Sequence, residues 1–288
     1  MLNLILAIML LQPVQSVQSV TNPPAMAVSP EEAALHLIGE QPIVRAKAVS
    51  PGKLFLATVR VDVLVDKKGA VLSATAVPPS DNDFAVSETG LSKLTPDILA
   101  EAETVVSKLH FAEFKSGDRA VAVTFQQYVQ VLPPELTPAN HIPVPVVRNW
   151  NSVTISLQRT SCFGRCPAYR LVIRGDGSVD YDGHAFVAAK GLQFGSMPRE
   201  KIAELIAIIE RADFYSLQDV YGGCGSDASD AYLRVEIEGH SKEVRDCMGE
   251  WHGMPHSVAQ LELAIDRLSG VETWIHPQTF LNGYEVFP

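Results

Sequence analysis

The four cysteines are the residues of this 288-residue sequence whose type and spacing most directly indicate chemistry. They all lie in its second half, at Cys162, Cys166, Cys224 and Cys247. An even number of cysteines in an exported chain is typical of structural disulfides. Four cysteines allow three pairings. We favour Cys162 with Cys166, in a tight loop that Gly164 can bend, and Cys224 with Cys247.

Two other uses of these thiols stay open at this stage. One is a redox pair, although the spacing of Cys162 and Cys166 is C-x3-C and not the C-x-x-C that lowers a thiol pKa. The other is a metal site that combines the thiols with His252 or His256. A glycine and a proline between these histidines disfavour a helix there, and C-x3-C is not the spacing of structural zinc sites. We therefore predict structural disulfides and assign no metal, no cofactor and no catalytic residue.

A glycine-rich loop supplies the other candidate site. Asp227 and Asp230 follow the segment GGCGS. Such a pair could serve acid–base chemistry or bind Ca²⁺, but aspartate and glycine also dominate loops for backbone reasons, and we favour that explanation. Tyr221, Trp251 and His252 flank the loops around the last two cysteines. With the two aspartates they form the candidate ligand or partner loop, since aromatic residues are favoured anchors in interfaces; packing in the core is the alternative.

Other classes of function find no support in the sequence. It contains no G-x-S-x-G or H-E-x-x-H pattern, and its glycine-rich loop lacks the Gly-Lys-Ser/Thr ending of a phosphate-binding loop. The net charge of −10 and the absence of dense basic runs argue against a nucleic-acid partner. A hydrophobic fraction of 47% with 19% charged residues is sufficient for packed cores.

The N-terminus indicates export. Residues 1–11 are apolar apart from Asn3, and this run is shorter than the ~20 apolar residues that a membrane span requires. Small residues such as Ser16 and Ser19 follow, as expected near a cleavage site. We assign residues 1–20 to a signal peptide and predict a periplasmic or secreted protein that is not an integral membrane protein after cleavage.

Hydrophobic patterning predicts an α+β fold with two small domains, each an antiparallel sheet packed by helices. The first domain spans 30–132 and the second 149–288. Over Val59–Val65, valines alternate with Arg60, Asp62 and Leu64, and this period of two is typical of a strand with one buried face. Five prolines within the intervening segment 133–148 predict an extended, semi-rigid linker. In the second domain, Ser196 is expected to cap a helix that has a proline in its first turn.

The segment 54–132 contains VRVDVLVDKKGAVLSATAV, then EAETVVSKLHFAEF, then GDRAVAVTF, in the order strand, turn, strand, helix, Phe-rich step, strand. With these motifs it resembles the C-terminal domain family of TonB-like periplasmic proteins. The step Phe111-Ala112-Glu113-Phe114 departs from the usual Phe-x-Pro. The resemblance implies a small periplasmic α+β domain that serves as a protein-contact module. Energy transduction does not carry over, because no long membrane anchor precedes the domain.

The segment 153–270 resembles a bacterial domain family of unknown function. The loop CFGRCP at 162–167, the tyrosine strand after it and the GDGSVDYDG hairpin carry this resemblance, which implies no reaction. The sequence thus favours a non-catalytic binding or protein-interaction module of the cell envelope, with an envelope protein as partner. The alternatives are a thiol-redox or hydrolytic enzyme centred on Cys162/Cys166 or Asp227/Asp230, and a metal-binding protein.

Overall fold

The computed structural model describes residues 24–80, 84–223, 227–275, 280–281 and 284–285. The predicted signal peptide lies outside the described residues. Two separate hydrophobic cores follow each other along the chain, one built from residues 33–131 and the other from residues 153–275. Each core joins helices to a sheet whose strand pairs are mostly antiparallel, which confirms the predicted α+β class.

The first half of the described chain holds two helices and many short strands. The helices are α1 (Pro30–His36) and α2 (Pro96–Val106). The strands are β1 (Met26–Ala27), β2 (Leu37–Ile38), β3 (Ile43–Arg45), β4 (Phe55–Val65), β5 (Val71–Ala76), β6 (Phe84–Ser87), β7 (Gly90–Lys93), β8 (His110–Phe111), β9 (Lys115–Ser116), β10 (Arg119–Ala120) and β11 (Val123–Leu132).

The second half holds longer strands and two longer helices. The helices are α3 (Arg199–Arg211) and α4 (His256–Ser269). The strands are β12 (Thr154–Arg159), β13 (Ala168–Arg174), β14 (Ser178–Ala185), β15 (Gly191–Ser196), β16 (Val220–Tyr221), β17 (Ala231–Ile237), β18 (His240–Asp246), β19 (Phe280–Leu281) and β20 (Tyr284–Glu285).

Strand β4 is the centre of the first sheet, whose order is β1-β11-β4-β6-β7 with β5 also on β4 and β3 on β11. Every second residue of β4 is buried, as the alternation predicts. Strand β11 pairs with β4 in antiparallel register from Val123 to Val131 and alternates in the same way. Helix α2 covers this sheet and buries Ala102 and Val106 against it.

The second sheet has the order β15-β14-β13-β12-β17-β18-β16, in which only the short β16 joins in parallel among the described strands. Helices α3 and α4 contact each other and bury their apolar residues in the same core as the strands. In α3 these are Ile202, Leu205 and Ile209, at the spacing of one helical face. The end of β12, the start of β17 and the end of β18 lie side by side, because Arg159 pairs with Ala231 and Ala231 pairs with Asp246.

The proline-rich segment lies along the second core. Leu136 packs against that core, and its N–H donates to the carbonyl of Gly253 at 2.7 Å. Gly253 has a φ of +80°, and a Cβ there would lie 2.8 Å from the carbonyl oxygen of Pro134. The close backbone approach explains why glycine occupies this position.

The expected cap of α3 is wrong. Ser196 ends strand β15, where it pairs with Ser178 of β14, and Pro198 occupies the N-cap position without a side-chain hydrogen bond. Strand β15 was not predicted from the sequence. The chain stays paired through Ser196 and Met197, whose N–H donates to the carbonyl of Gly177 at 2.8 Å, so the helix begins only after Pro198.

Among the helices of the described residues, none combines the length and the apolar character that crossing a lipid bilayer requires.

The turn between β4 and β5 depends on one glycine. Gly69 has a φ of +86°, and a Cβ at this position would lie 1.7 Å from the carbonyl oxygen of Phe111. The N–H of Phe111 donates to the Gly69 carbonyl at 2.9 Å, so the two backbones cannot separate without losing this bond. Phe111 is in turn fully buried against Phe125.

We predict that Gly69→Ala lowers the free energy of unfolding by about 2 kcal/mol or more, because a positive φ strains any L-residue and the new Cβ also overlaps the backbone of Phe111. Urea denaturation measures this change. Gly117→Ala is the matched control, since Gly117 also has a positive φ of +61° but has no atom within 4 Å of its Cβ position. Equal losses in the two variants would show that the contact with Phe111 has no energetic importance.

Candidate functional site

The Cys162–Cys166 loop, residues 162–166, joins β12 to β13 and is closed by a disulfide. The two Cα atoms are 5.6 Å apart, so the predicted local bridge is confirmed. Cys166 is buried and Cys162 is partly exposed. The N–H of Phe163 donates to the carbonyl of Asp227 at 3.2 Å. This bond ties the tip of the loop to residues 227–230, the aspartate loop.

The aspartate loop lies beside the Cys162–Cys166 loop because β12 pairs with β17, with Arg159 opposite Ala231. The N–H of Thr160 donates to the carbonyl of Asp230 at 2.9 Å, and the N–H of Asp230 donates to Oγ1 of Thr160 at 2.8 Å. The two candidate sites of the sequence analysis are thus one site. The Asp230 carboxylate itself forms an ion pair with Arg245, at 2.8 Å from Nε.

A cavity of about 390 Å³ opens between these loops and the 3₁₀ turn Gly249–His252, which precedes the last helix. Aromatic, carboxylate, guanidinium and sulfur groups are all present among its lining residues. Its lining residues are Arg159, Cys162, Phe163, Gly164, Cys166, Asp227, Ala228, Ser229, Ala231, Asp246, Met248 and Trp251.

Two of the residues expected in the partner loop lie elsewhere. Tyr221 is buried in the second core, where its hydroxyl accepts a hydrogen bond from the N–H of Gln218 at 3.3 Å. His252 ends the short 3₁₀ turn Gly249–His252, and burial lowers its pKa while the charge of Glu88 in the first domain opposes the effect. The structure therefore brings Asp227 and Trp251 into the cavity with the disulfide, whereas Tyr221, Asp230 and His252 are not among its lining residues.

Beneath the cavity lies a buried polar network that the sequence analysis did not find. Arg159 is its centre, and it donates from Nε to Tyr169 at 3.0 Å, from Nη1 to Glu262 at 3.0 Å and from Nη2 to Asp266 at 3.3 Å. Tyr169 donates from its hydroxyl to Asp266 at 2.7 Å. The network ties two neighbouring strands to helix α4.

A signal for this network is present in the sequence. Arg159 and Tyr169 face each other in the register of β12 and β13. Glu262 and Asp266 are one turn apart on α4 and interrupt the face that also carries Leu261 and Ile265. Two carboxylates within an apolar helical face require a buried counter-charge, because an unpaired buried charge is very costly.

Residues 153–269 match the family described as Domain of unknown function (DUF6438). The matched segment contains the disulfide loop, the cavity and the whole Arg159 network. No curated protein matches the chain. The resemblance of the second half to a domain of unknown function is thereby supported, whereas the TonB-like character of 54–132 lies outside the matched segment and stays a prediction.

Burial governs the ionisation of the carboxyl groups in this region. It raises the pKa of Glu262 to about 8, a shift that Arg159 opposes and that the negative charges of Asp246 and Asp266 increase. It also raises the pKa of Asp266, against the effect of the Arg159 charge. Burial raises the pKa of Asp246 too, although its Oδ1 accepts a hydrogen bond of 2.6 Å from the N–H of Gly249. The second domain thus holds a carboxyl group that is protonated near neutral pH.

The two histidines considered as metal ligands do not share a helical face. His256 is the first residue of α4, and its Nδ1 lies 2.7 Å from Glu250 while its Nε2 lies 3.4 Å from Glu40 of the first domain. The hydrogen bond with Glu250 is the main cause that raises the pKa of His256. Among the described residues, no group of three or more histidines, cysteines and carboxylates is placed to hold a metal ion.

Cys247 is buried and disulfide-bonded in the structure. Cys224, its expected partner, lies outside the described residues. Gly222 lies against the backbone of Cys247, since its φ is +80° and a Cβ there would lie 2.0 Å from the carbonyl oxygen of Cys247.

We predict two intramolecular disulfides, Cys162 with Cys166 and Cys224 with Cys247. Mass spectrometry of peptides from the non-reduced protein measures the pairing, and the reduced protein is the control. A peptide that links Cys162 or Cys166 to Cys247 would contradict the prediction. On chain-entropy arithmetic the longer loop contributes about 3 kcal/mol, so Cys247→Ser should lower the free energy of unfolding by an amount of that order.

Glu262 should make stability depend on pH. The folded protein retains the Glu262 proton up to about pH 8, whereas the unfolded chain loses it near the ordinary pKa of 4.5. Folded molecules therefore bind more protons between these values, and the free energy of unfolding falls as pH rises from 5 to 8.

We predict that Glu262→Gln removes on the order of 3 kcal/mol of this fall, because glutamine can still accept from Arg159 but does not titrate. Urea denaturation at several pH values measures the slope. Glu243→Gln on the exposed side of β18 is the matched control and should keep the wild-type slope. An unchanged slope in Glu262→Gln would show that Glu262 is ionised in the folded protein.

Proposed function

We propose that this chain is an exported binding module of the cell envelope, which docks a protein partner on the face formed by the Cys162–Cys166 loop and the adjoining cavity. The observation that carries the proposal is Phe163. Its side chain is 89% exposed at the tip of a disulfide-closed loop and at the edge of the cavity. Aromatic side chains, phenylalanine among them, are enriched in the cores of protein interfaces, so an exposed one on a preformed loop is suited to anchor a partner.

The loop is preorganised for binding. The disulfide and the backbone hydrogen bond from Phe163 to Asp227 fix its shape before any partner arrives. Little conformational freedom is then lost on binding, which leaves more of the contact energy for affinity. Arg165, exposed on the same loop, adds a charge that can select among partners.

The surroundings of the loop favour recognition over catalysis. The Arg159 guanidinium is occupied by Glu262, Asp266 and Tyr169, and the Asp230 carboxylate is occupied by Arg245. These groups maintain the fold of the domain. The cavity of about 390 Å³ is near the lower end of the ~300–1,000 Å³ that ligand pockets occupy, so it suits one inserted side chain better than a large substrate.

Export is supported by two independent features. The apolar run at residues 1–11 is typical of a signal peptide, and the Cys162–Cys166 disulfide is typical of an oxidising compartment such as the periplasm. The TonB-like resemblance of 54–132 adds a protein-contact role for the first domain in the same compartment. A two-domain envelope adaptor combines these features.

A thiol-redox enzyme is the second candidate, and the position of the disulfide favours it. Cys162 is partly exposed in the cavity, whereas Cys166 is buried, an arrangement in which one sulfur is open to attack. An enzyme of this kind requires a reduced Cys162 that is alkylated rapidly at neutral pH and a cysteine-dependent reduction of a disulfide substrate. A binding module keeps its affinity whether or not that thiol is reactive.

We predict that a photo-cross-linking amino acid in place of Phe163 gives a discrete protein adduct in the envelope of the native host. The same amino acid in place of Phe194 is the matched control. Phe194 is a 72% exposed phenylalanine on edge strand β15, away from the strand ends that line the cavity. Denaturing gels with mass spectrometry identify the adduct. The N-terminal peptide of the same sample reports whether residues 1–20 have been removed.

Phe163→Ala should weaken binding of the identified partner about thirtyfold, as expected for an anchor worth about 2 kcal/mol. Phe194→Ala should change it less than about twofold. Adducts from position 194 alone, or from neither position, would refute this docking face. Loss of an enzymatic disulfide reduction on Cys162→Ser, with no effect of Phe163→Ala, would instead establish the redox function.

A further inference from the structure

The walls of the cavity combine negative charge with an aromatic ring. Asp227 and Asp246 contribute carboxylates, and Trp251 contributes a partly exposed indole. A carboxylate beside an aromatic face is the environment that ammonium and guanidinium groups prefer. The one cationic residue among the lining groups is Arg159.

Arg159 does not make the cavity a site for anions. Its three nitrogens donate to Tyr169, Glu262 and Asp266, all of which lie on the interior side of the cavity. The carboxylates of Glu262 and Asp266 are almost fully buried, with side-chain exposures of 5% and 2%. Its charge is therefore directed into the protein and away from an incoming ligand.

The network contains more carboxyl groups than cations. Glu262, Asp266 and Asp246 surround the single guanidinium of Arg159, and Asp246 reaches the cavity. The carboxylate of Asp246 accepts a hydrogen bond from Gly249 through Oδ1, and no other donor to it is present among the described residues. Buried charge of one sign is normally balanced by a counter-charge or by protonation.

We propose that the cavity receives a positively charged group of the partner, a guanidinium or an ammonium, between the Asp246 carboxylate and the Trp251 ring. This inference rests on the proposed function, because it names the side-chain chemistry that the docking face selects. The cation supplies the counter-charge that the network lacks. When bound there, the cation supplies the positive charge that a proton on Glu262 otherwise supplies to the buried network.

Such a group can come from an arginine or lysine side chain or from a free polyamine. N-acetyl-arginine amide represents the side chain and putrescine represents the polyamine. N-acetyl-citrulline amide, which has nearly the shape of the arginine derivative but no charge, is the control ligand. Isothermal titration of the full mature chain at pH 7.5 compares the three.

We expect the arginine derivative to bind about tenfold more tightly than its citrulline counterpart. Asp246→Asn should remove this preference, because asparagine can still accept from Gly249 but carries no charge. Asp118→Asn, in an exposed turn of the first domain, removes one charge elsewhere and should leave the preference unchanged. Tighter binding of putrescine than of the arginine derivative would assign the site to a free polyamine. Equal binding of the charged and neutral derivatives to the wild type would overturn the proposal.

Proton release gives an independent readout. The charged groups that face Glu262 are Arg159 from β12, Asp246 from the end of β18 and Asp266 from α4. An additional cation beside Asp246 favours the ionised form of Glu262, so binding at pH 7.5 should release a fraction of a proton. Titrations in two buffers of different ionisation enthalpy measure this release, and Glu262→Gln should abolish it. Binding of the cation without release would contradict the proposed coupling to the network.

The outcomes separate this inference from the proposed function. Protein adducts at position 163 together with equal binding of arginine and citrulline derivatives would leave the docking face intact and refute the cation subsite. Preference for the charged derivative without any adduct at position 163 would support the subsite and refute protein docking.

Discussion

The packing of helix and sheet in the second half of the chain depends on the buried guanidinium of Arg159. Its three hydrogen bonds join β12, β13 and α4 across the core, so the position of the helix relative to the sheet is fixed by directional bonds and not by apolar contact alone. A buried ion network of this kind contributes little net stability, since desolvation offsets most of its attraction. Removing one member, however, leaves an unpaired charge in the core. The network therefore fixes the position of α4 relative to the sheet, and this position determines the shape of the cavity above it.

The loops above the network are fixed by covalent and backbone interactions. The disulfide closes the Cys162–Cys166 loop, and hydrogen bonds from Thr160 and Phe163 tie it to the aspartate loop. Asp227 and Asp230, which share this loop, have different surroundings. Asp230 is held by Arg245, whereas Asp227 lines the cavity. Two aspartates that look equivalent in the sequence thus lie in different environments, one in an ion pair with Arg245 and the other in the wall of the cavity.

The two domains meet through backbone and charged groups near the start of α4. Gly253 lies against Pro134 and Gly52, and His256 lies between carboxylates of both domains. The 3₁₀ turn that carries Trp251 in the cavity also carries His252 at this contact. The proposed docking face and the contact between the two halves of the chain consequently share this 3₁₀ turn.

The sequence by itself determined the class of fold and made a local bridge within the cysteine loop possible. Period-two alternation over Val59–Val65 predicted the central strand of the first sheet, and the four-residue separation of Cys162 and Cys166 allowed their bridge. Such features are local, because the backbone period or the loop length fixes them. The tertiary structure alone decided which distant residues meet. Arg159 is 103 residues from Glu262 and 107 residues from Asp266 along the chain, yet it donates hydrogen bonds to both. Only the register of β12 with β13 and the packing of α4 bring them together, and only the same packing assigns Tyr221 to the core and Trp251 to the cavity.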